Sequence, residues 1–161
     1  MIRLVDAIIV LATDQVDFVV IGGMAIRSHG SGYLTQDLDI CYSRENGNLK
    51  RLADALAPYN PRPRDFPESL KFVWDASTLR NGTNFTLNTS LGDIDLLAEV
   101  SGIGTYREAV ADSIEIEIEG LSVRILSVDG LIKAKTAAGR EKDILGLKEL
   151  EALKLAFSDE D

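Results

Sequence analysis

The feature that most constrains this chain is the alternation of polar and apolar side chains over residues 36–42. Successive side chains of an extended strand point to opposite faces of a sheet. Asp37 and Asp39 therefore share one face, and Leu38 and Ile40 share the other. The pattern predicts a strand with one apolar side and one acidic side, so the fold must contain a sheet that leaves two neighbouring carboxylates accessible.

A short apolar run precedes the acidic strand and ends in two consecutive glycines. Residues 18–21 are all apolar, and Gly22 and Gly23 follow them directly, which predicts a buried strand and then a turn. Residues 24–29 suit a short helix closed by Gly30, because glycine accepts the left-handed conformation that ends many helices. Without a Cβ, the two glycines let backbone amides approach phosphate oxygens at the start of that helix, so the pattern favours an anion-binding turn.

Periodicity places the remaining elements. Apolar residues at helical spacing predict helices over residues 2–12, 45–57, 106–112, 128–138 and 140–156. Alternation and β-prone composition predict strands over residues 70–74, 84–89 and 93–99, and then an edge hairpin of residues 114–118 and 121–125. Residues 60–67 contain three prolines and two arginines and are expected to form a loop.

The order of these elements predicts the fold class. It is α+β, with a mixed, mostly antiparallel β-sheet flanked by helices and two helices at the C-terminal end. The chain has 161 residues, of which 45% are hydrophobic, and this suits one domain that spans residues 1–161.

Charge and cysteine content exclude several classes of protein. The formal net charge of −9 repels nucleic acid, so general DNA binding is not expected. Cys41 is the only cysteine, which excludes an intramolecular disulfide framework and fits a reducing compartment. The apolar stretch of residues 7–12 is too short to span a bilayer, so we expect a cytoplasmic protein with no membrane partner.

A third carboxylate is available on a later predicted strand, where Asp93 and Asp95 share a face. Spacing alone does not choose between these two. Two carboxylates side by side on one strand and a third from a neighbouring strand form an oxygen-rich pocket that suits Mg²⁺ or Mn²⁺ together with substrate phosphates. An isolated Asp-x-Asp pair is most often a solvated face, but the joint order of Gly22-Gly23, Asp37 and Asp39, and a later aspartate favours a metal site.

Three segments, in this order along the chain, resemble the minimal nucleotidyltransferase superfamily and, within it, the AbiEii toxin-like branch. The first runs from Gly22-Gly23-Met24-Ala25-Ile26 through His29-Gly30 to Thr35-Gln36-Asp37-Leu38-Asp39-Ile40. The second is Gly92-Asp93-Ile94-Asp95-Leu96-Leu97. The third joins Leu131-Ile132-Lys133-Ala134-Lys135 to Ala138-Gly139-Arg140-Glu141-Lys142-Asp143.

The resemblance implies roles for particular residues. It identifies Asp37, Asp39 and Asp95 as the catalytic, metal-binding carboxylates, and it prefers Asp95 to Asp93 because two leucines follow it. It further implies a nucleotide-binding set comprising Gly22, Gly23, Thr35, Lys135, Arg140 and Lys142. Each of the three basic residues in that set could instead be a solvent-exposed side chain with no binding role, since this is common for lysines and arginines on amphipathic helices.

The activity that the resemblance implies is transfer of a nucleoside monophosphate from an NTP to a hydroxyl, with release of pyrophosphate. The expected acceptor is an RNA, such as a tRNA, or a protein. The AbiEii-like likeness further implies a toxin of a toxin–antitoxin or phage-defence system, with an antitoxin protein as partner.

Two other functions are consistent with the same residues. One is a nucleotide-binding or protein-binding relative without turnover, because Gly22-Gly23 replaces the Gly-Ser pair of many members and residues 32–34 lack an arginine that relatives often carry. The other is an acidic globular protein whose aspartates are surface residues. Divalent-dependent NTP binding followed by product formation would separate all three.

Overall fold

The computed structural model describes residues 4–32 and 34–158. Over these residues the chain forms nine strands: β1 (Phe18–Ile21), β2 (Asp37–Tyr42), β3 (Arg62–Pro63), β4 (Phe85–Thr89), β5 (Gly92–Leu97), β6 (Glu99–Val100), β7 (Gly104–Thr105), β8 (Ser113–Ile118) and β9 (Leu121–Leu126). The helices in the same part of the chain are α1 (Leu4–Thr13), α2 (Gly22–Ser28), α3 (Asn46–Leu56), α4 (Ala76–Asn81), α5 (Tyr106–Ala111), α6 (Val128–Ala138) and α7 (Glu141–Ser158), with a 3₁₀ turn at Ala57–Tyr59.

Seven of the strands form one mixed sheet in the order β3-β4-β5-β2-β1-β9-β8. The pairs β1–β9 and β2–β5 are parallel, and the other four pairs are antiparallel. Strands β6 and β7 form a separate two-stranded ribbon. The predicted α+β fold, with a mixed, mostly antiparallel sheet and two C-terminal helices, is therefore confirmed.

The predicted polarity of the acidic strand is present in the sheet. Leu38 and Ile40 on β2, and Ile94 and Leu96 on β5, are fully buried, while the aspartates that alternate with them are only half-buried. Burying the aliphatic side chains removes them from water and leaves the carboxylates on the opposite face. The hydrophobic effect thus fixes which way the aspartates point.

The helices cover the sheet and bring the C-terminal pair close to the acidic strand. Helix α2 contacts β1 and β2 and also packs against α6 and α7, which pack against each other. Among the described residues, no helix is both long and apolar enough to cross a membrane.

The strand predicted over residues 70–74 is wrong. The described chain has no regular structure there, and helix α4 begins directly after it, capped by the Asp75 side chain, which accepts a hydrogen bond of 2.8 Å from Thr78 N–H. The apolar residues serve local packing instead: Phe72 lies edge-on to Phe66, and the Trp74 indole donates to the Ala53 carbonyl. A segment of β-prone residues without a partner strand does not form a β-ladder.

The loop predicted over residues 60–67 contains the short edge strand β3. Pro63 sits at the sheet edge opposite Leu87, a position where the missing proline N–H costs no ladder hydrogen bond. Helix α2 also begins two residues earlier than predicted, since Gly22 and Gly23 form its first turn.

Candidate functional site

Three aspartates meet on the exposed face of the sheet. Strands β2 and β5 are parallel neighbours, with Asp39 paired to Asp95 and Asp37 paired to Asp93. One carboxylate oxygen each from Asp37, Asp39 and Asp95 lies within 4.8 Å of the other two. We call these three residues the aspartate cluster. The side chains that the sequence singled out as metal-binding are thus brought together, by the parallel register of two strands far apart in the chain.

Asp93 shares the face of the cluster but not its centre. It lies beside Asp37 in the register of the two strands, and the group of carboxylates close enough to share one ion comprises Asp95 and not Asp93. The geometry therefore favours Asp95 as the third carboxylate, as the sequence resemblance does.

Gly22 lies against the cluster and has to be glycine for two reasons. Its φ is +66°, in the left-handed region that disfavours residues with a Cβ. A Cβ built on Gly22 would also overlap the carboxylate of Asp39. Gly23, the next residue, is buried in the first turn of α2. The glycine pair thus lets the backbone of α2 lie directly beside Asp39.

Thr35 contacts the backbone of Asp37. Its hydroxyl donates to the Asp37 carbonyl at 3.1 Å and accepts from the Asp37 N–H at 3.4 Å. These bonds fix the chain where it enters β2. Thr35 is placed to position Asp37, and its role toward a nucleotide stays a prediction.

The predicted basic residues Lys135 and Arg140 converge on one buried carboxylate. Lys135 Nζ and Arg140 Nε lie 3.0 Å from the two oxygens of Asp143, which is 1% exposed. The backbone N–H of Arg140 also donates to the Asp143 carboxylate at 3.1 Å, while the Asp143 N–H donates to the Arg140 carbonyl, so the Asp143 side chain satisfies a free N–H at the start of α7. We call Lys135, Arg140 and Asp143 the C-terminal ion-pair network.

Electrostatics keep Asp143 ionised within this network. Burial raises the pKa of its carboxyl, but the hydrogen bonds from Arg140 and Lys135 outweigh burial and hold the pKa below its ordinary value. The two cations are therefore held in place by a permanent negative charge. The side chain of Lys142 falls outside the described part of the structure, so its predicted role stays a prediction.

A cavity of about 400 Å³ lies between Asp39 of the aspartate cluster and the C-terminal ion-pair network. Gly22 and Asp39 line it from the sheet, and the whole C-terminal ion-pair network lines it from α6 and α7. Apolar side chains, including Leu97 and Leu131, complete its walls. Its volume is within the range of small-ligand pockets, and it offers carboxylates, cations and an apolar surface to one ligand.

The sequence analysis missed Arg64, whose guanidinium lies over the acidic face. Its Nη1 is 3.6 Å from Asp37 Oδ2 and 3.8 Å from Asp93 Oδ2, and its Nη2 forms an ion pair with Asp95. The one local signal was a pair of arginines in a proline-rich segment. Only the pairing of β3 with β4 and of β4 with β5 brings that segment to the aspartates.

The fold is shared with a protein of known structure. No family model matches the chain, and no curated protein matches it. Among solved structures it is similar to the nucleotidyltransferase ANT(2")-Ia in complex with adenylyl-2"-tobramycin, at a TM-score of 0.56 and 16% identity over 95% of this chain and 93% of that chain. This likeness shows a nucleotidyltransferase-like fold and leaves the AbiEii-like resemblance a prediction.

Proposed function

We propose that this chain is a nucleotidyltransferase, which transfers a nucleoside monophosphate from an NTP to a hydroxyl with the help of Mg²⁺ or Mn²⁺. The observation that carries the proposal is the aspartate cluster, whose oxygens lie within 4.8 Å of one another beside the cavity that Lys135 and Arg140 also line. One wall supplies ligands for a divalent cation, and the other supplies positive charge for phosphates.

The residues fit a divalent ion. Asp37, Asp39 and Asp95 offer hard oxygen ligands, the type that Mg²⁺ and Mn²⁺ prefer. Two ligands of one such ion lie up to about 4.2 Å apart, twice the ion–oxygen distance, so small rotations of side chains would close the cluster around it. A bound ion supplies Lewis-acid stabilisation of the phosphoryl oxygens and lowers the pKa of the attacking hydroxyl.

The chain's own residues bind and orient the triphosphate. Lys135 and Arg140 present positive charge to it, and Asp143 fixes their positions before the ligand arrives, so little ordering is needed on binding. Gly22, which has no Cβ, leaves the space beside it that the Asp39 carboxylate occupies. The acceptor oxygen then bonds to the α-phosphorus, the bond from that phosphorus to the bridging oxygen breaks, pyrophosphate leaves, and the hydroxyl proton passes to solvent.

The acceptor we propose is a hydroxyl on an RNA, such as a tRNA, or on a protein, and the role is that of a toxin countered by an antitoxin protein. This part of the proposal rests on the motif resemblance to AbiEii-like toxins. A cytoplasmic location fits it.

A cationic amino sugar is a second candidate acceptor. The net charge of −9 attracts cations and repels nucleic acid. A second cavity of about 930 Å³ is lined by Asp93 and by polar side chains that include Gln36, Asn88 and Thr89, with Arg27 at the same wall. The similar protein ANT(2")-Ia is seen with an adenylylated tobramycin.

Transfer of a labelled nucleotide tests the proposal. Each α-³²P-labelled NTP would be incubated with the protein, Mn²⁺ and either tRNA, cell protein or tobramycin. We expect transfer by the wild type and by Asp54→Asn, whose carboxylate is exposed and paired with Lys50, and none by Asp39→Asn. Metal-dependent binding without transfer to any acceptor would support the non-catalytic relative, and equal transfer by Asp39→Asn would overturn the mechanism.

A further inference from the structure

Arg64 occupies the acidic face from the edge of the sheet. Its guanidinium contacts Asp37, Asp93 and Asp95, two of which belong to the aspartate cluster. Arginine and a divalent cation are attracted to the same carboxylate oxygens. Both therefore compete for one position on this face.

The backbone holds Arg64 in this place through two strand pairings. The Arg64 N–H donates to the Thr86 carbonyl at 2.9 Å, and Thr86 is the register partner of Asp95. The guanidinium of Arg62 donates to the carbonyls of Pro67 and Leu70 and so ties down the segment that follows. Arg64 is thus presented by an ordered edge, with its side chain 24% exposed.

The charges around Arg64 are unbalanced. Three carboxylates, those of Asp37, Asp93 and Asp95, lie within 3.8 Å of the guanidinium, which carries a single positive charge. The Nε of Arg64 is buried and makes no hydrogen bond within residues 4–32 and 34–158. The carboxylates around the guanidinium therefore retain net negative charge for a metal ion, and the Arg64 Nε has no acceptor among the described residues in its present position.

We infer that Arg64 is a positioning residue that acts as the resident counterion of the aspartate cluster and transfers to the triphosphate when a metal–nucleotide complex binds. This inference rests on the proposed function. Without nucleotide, Arg64 holds Asp37 and Asp95 and opposes the entry of a lone cation. With nucleotide, phosphate oxygens give the guanidinium a new partner, to which its planar fork can donate two hydrogen bonds. Metal and nucleotide consequently bind with positive coupling.

The inference predicts opposite effects on two ligands. Replacing Arg64 with glutamine frees the carboxylates and strengthens the binding of metal alone on the order of tenfold, equal to about 1.4 kcal/mol. The same change removes a phosphate contact and weakens nucleotide binding in the presence of metal by a similar factor. A purely structural role would move both affinities in the same direction.

Electron paramagnetic resonance of free Mn²⁺ measures the first effect, and titration with each NTP at saturating Mn²⁺ measures the second. The proteins compared are the wild type, Arg64→Gln, Arg64→Lys, Asp37→Asn and Arg124→Gln. Arg124→Gln is the matched control, because it removes an arginine paired with the single carboxylate of Glu115 on another part of the sheet.

We expect tighter Mn²⁺ and weaker NTP binding for Arg64→Gln, near wild-type Mn²⁺ binding for Arg64→Lys and for the control, and loss of Mn²⁺ binding for Asp37→Asn. If Arg64→Gln binds Mn²⁺ no more tightly than the wild type while Asp37→Asn loses it, the inference is overturned and the metal site of the proposed function stands. If no variant binds Mn²⁺ with or without NTP, both are overturned.

Discussion

The C-terminal ion-pair network and the acidic face around Arg64 flank one cavity, which Asp143 lines from the first group and Asp39 from the second. The two groups differ in how completely their charges are paired. Asp143 accepts hydrogen bonds of 3.0 to 3.1 Å from Lys135 and Arg140 and is 1% exposed. The carboxylates of Asp37 and Asp93 meet Arg64 only at 3.6 and 3.8 Å, beyond hydrogen-bond distance. The first group is satisfied within the protein, whereas the second has binding capacity left for a ligand.

This difference suggests that the network around Asp143 stabilises the fold, whereas the acidic face around Arg64 serves ligand binding. A buried carboxylate with all its partners present stabilises a particular arrangement of helices and holds two cations ready. Crowded carboxylates that share a single guanidinium repel each other and lower stability, which proteins tolerate where a bound ligand later stabilises the site. The stability of variants should therefore distinguish the two groups.

The largest effect is expected at Asp143. Asp143→Asn leaves Lys135 and Arg140 without their counter-charge and should lower the free energy of unfolding by about 3 kcal/mol. Asp37→Asn removes one of several crowded carboxylates and should change that free energy by no more than about 0.5 kcal/mol. Urea denaturation followed by circular dichroism measures both. Equal losses in the two variants would remove the distinction drawn here.

A substitution at Gly22 tests how tightly the backbone of α2 packs against the aspartate cluster. Gly22→Ala should lower the free energy of unfolding by about 2 to 3 kcal/mol, since it combines left-handed strain with overlap on Asp39. Gly120→Ala is the matched control, because Gly120 has a φ of +82° and open space around its Cβ position, and it should cost about 1 kcal/mol. Equal costs would show that Asp39 moves away freely.

The smallest expected effect is on the stability of the protein at low pH. The folded-state pKa of Asp143 lies below its ordinary value of 3.8, so its ionised form contributes stability above about pH 4, and that contribution is lost as the pH falls through the folded-state pKa. The stability of the wild type should therefore decline more steeply below pH 4 than that of Asp143→Asn. Chemical denaturation between pH 3 and pH 6 tests this. Parallel curves would contradict it, since Asp75 and Glu108, whose pKa values are also lowered, are present in both proteins.

Much of the fold followed from local periodicity. The alternation of residues 36–42 predicted β2 and its acidic face, and the apolar spacing of residues 128–138 predicted α6 with the same bounds. These patterns record which side of an element is buried, and burial is the main source of order in the core. The motif resemblance added the order of the aspartates.

The rest depends on contacts between residues distant in sequence. Arg64 reaches the aspartates only because β3 pairs with β4 and β4 with β5, and a strand of two residues carries no period to detect. The stretch of residues 70–74 is rich in β-prone residues but has no partner strand in the described part of the chain and packs locally. The periodicity of a strand can be detected within one segment of sequence, but its pairing partner depends on residues elsewhere in the chain.

Calorimetric titration of each NTP into the protein, with and without Mn²⁺, tests the central claim most directly, namely that the aspartate cluster binds a nucleotide through a metal ion. We predict binding of at least one NTP by the wild type and by Asp54→Asn in the presence of Mn²⁺, with at least a tenfold loss when Mn²⁺ is omitted or when Asp39 is changed to asparagine. Binding of similar strength without Mn²⁺ and in Asp39→Asn, or no binding of any NTP, would contradict the account.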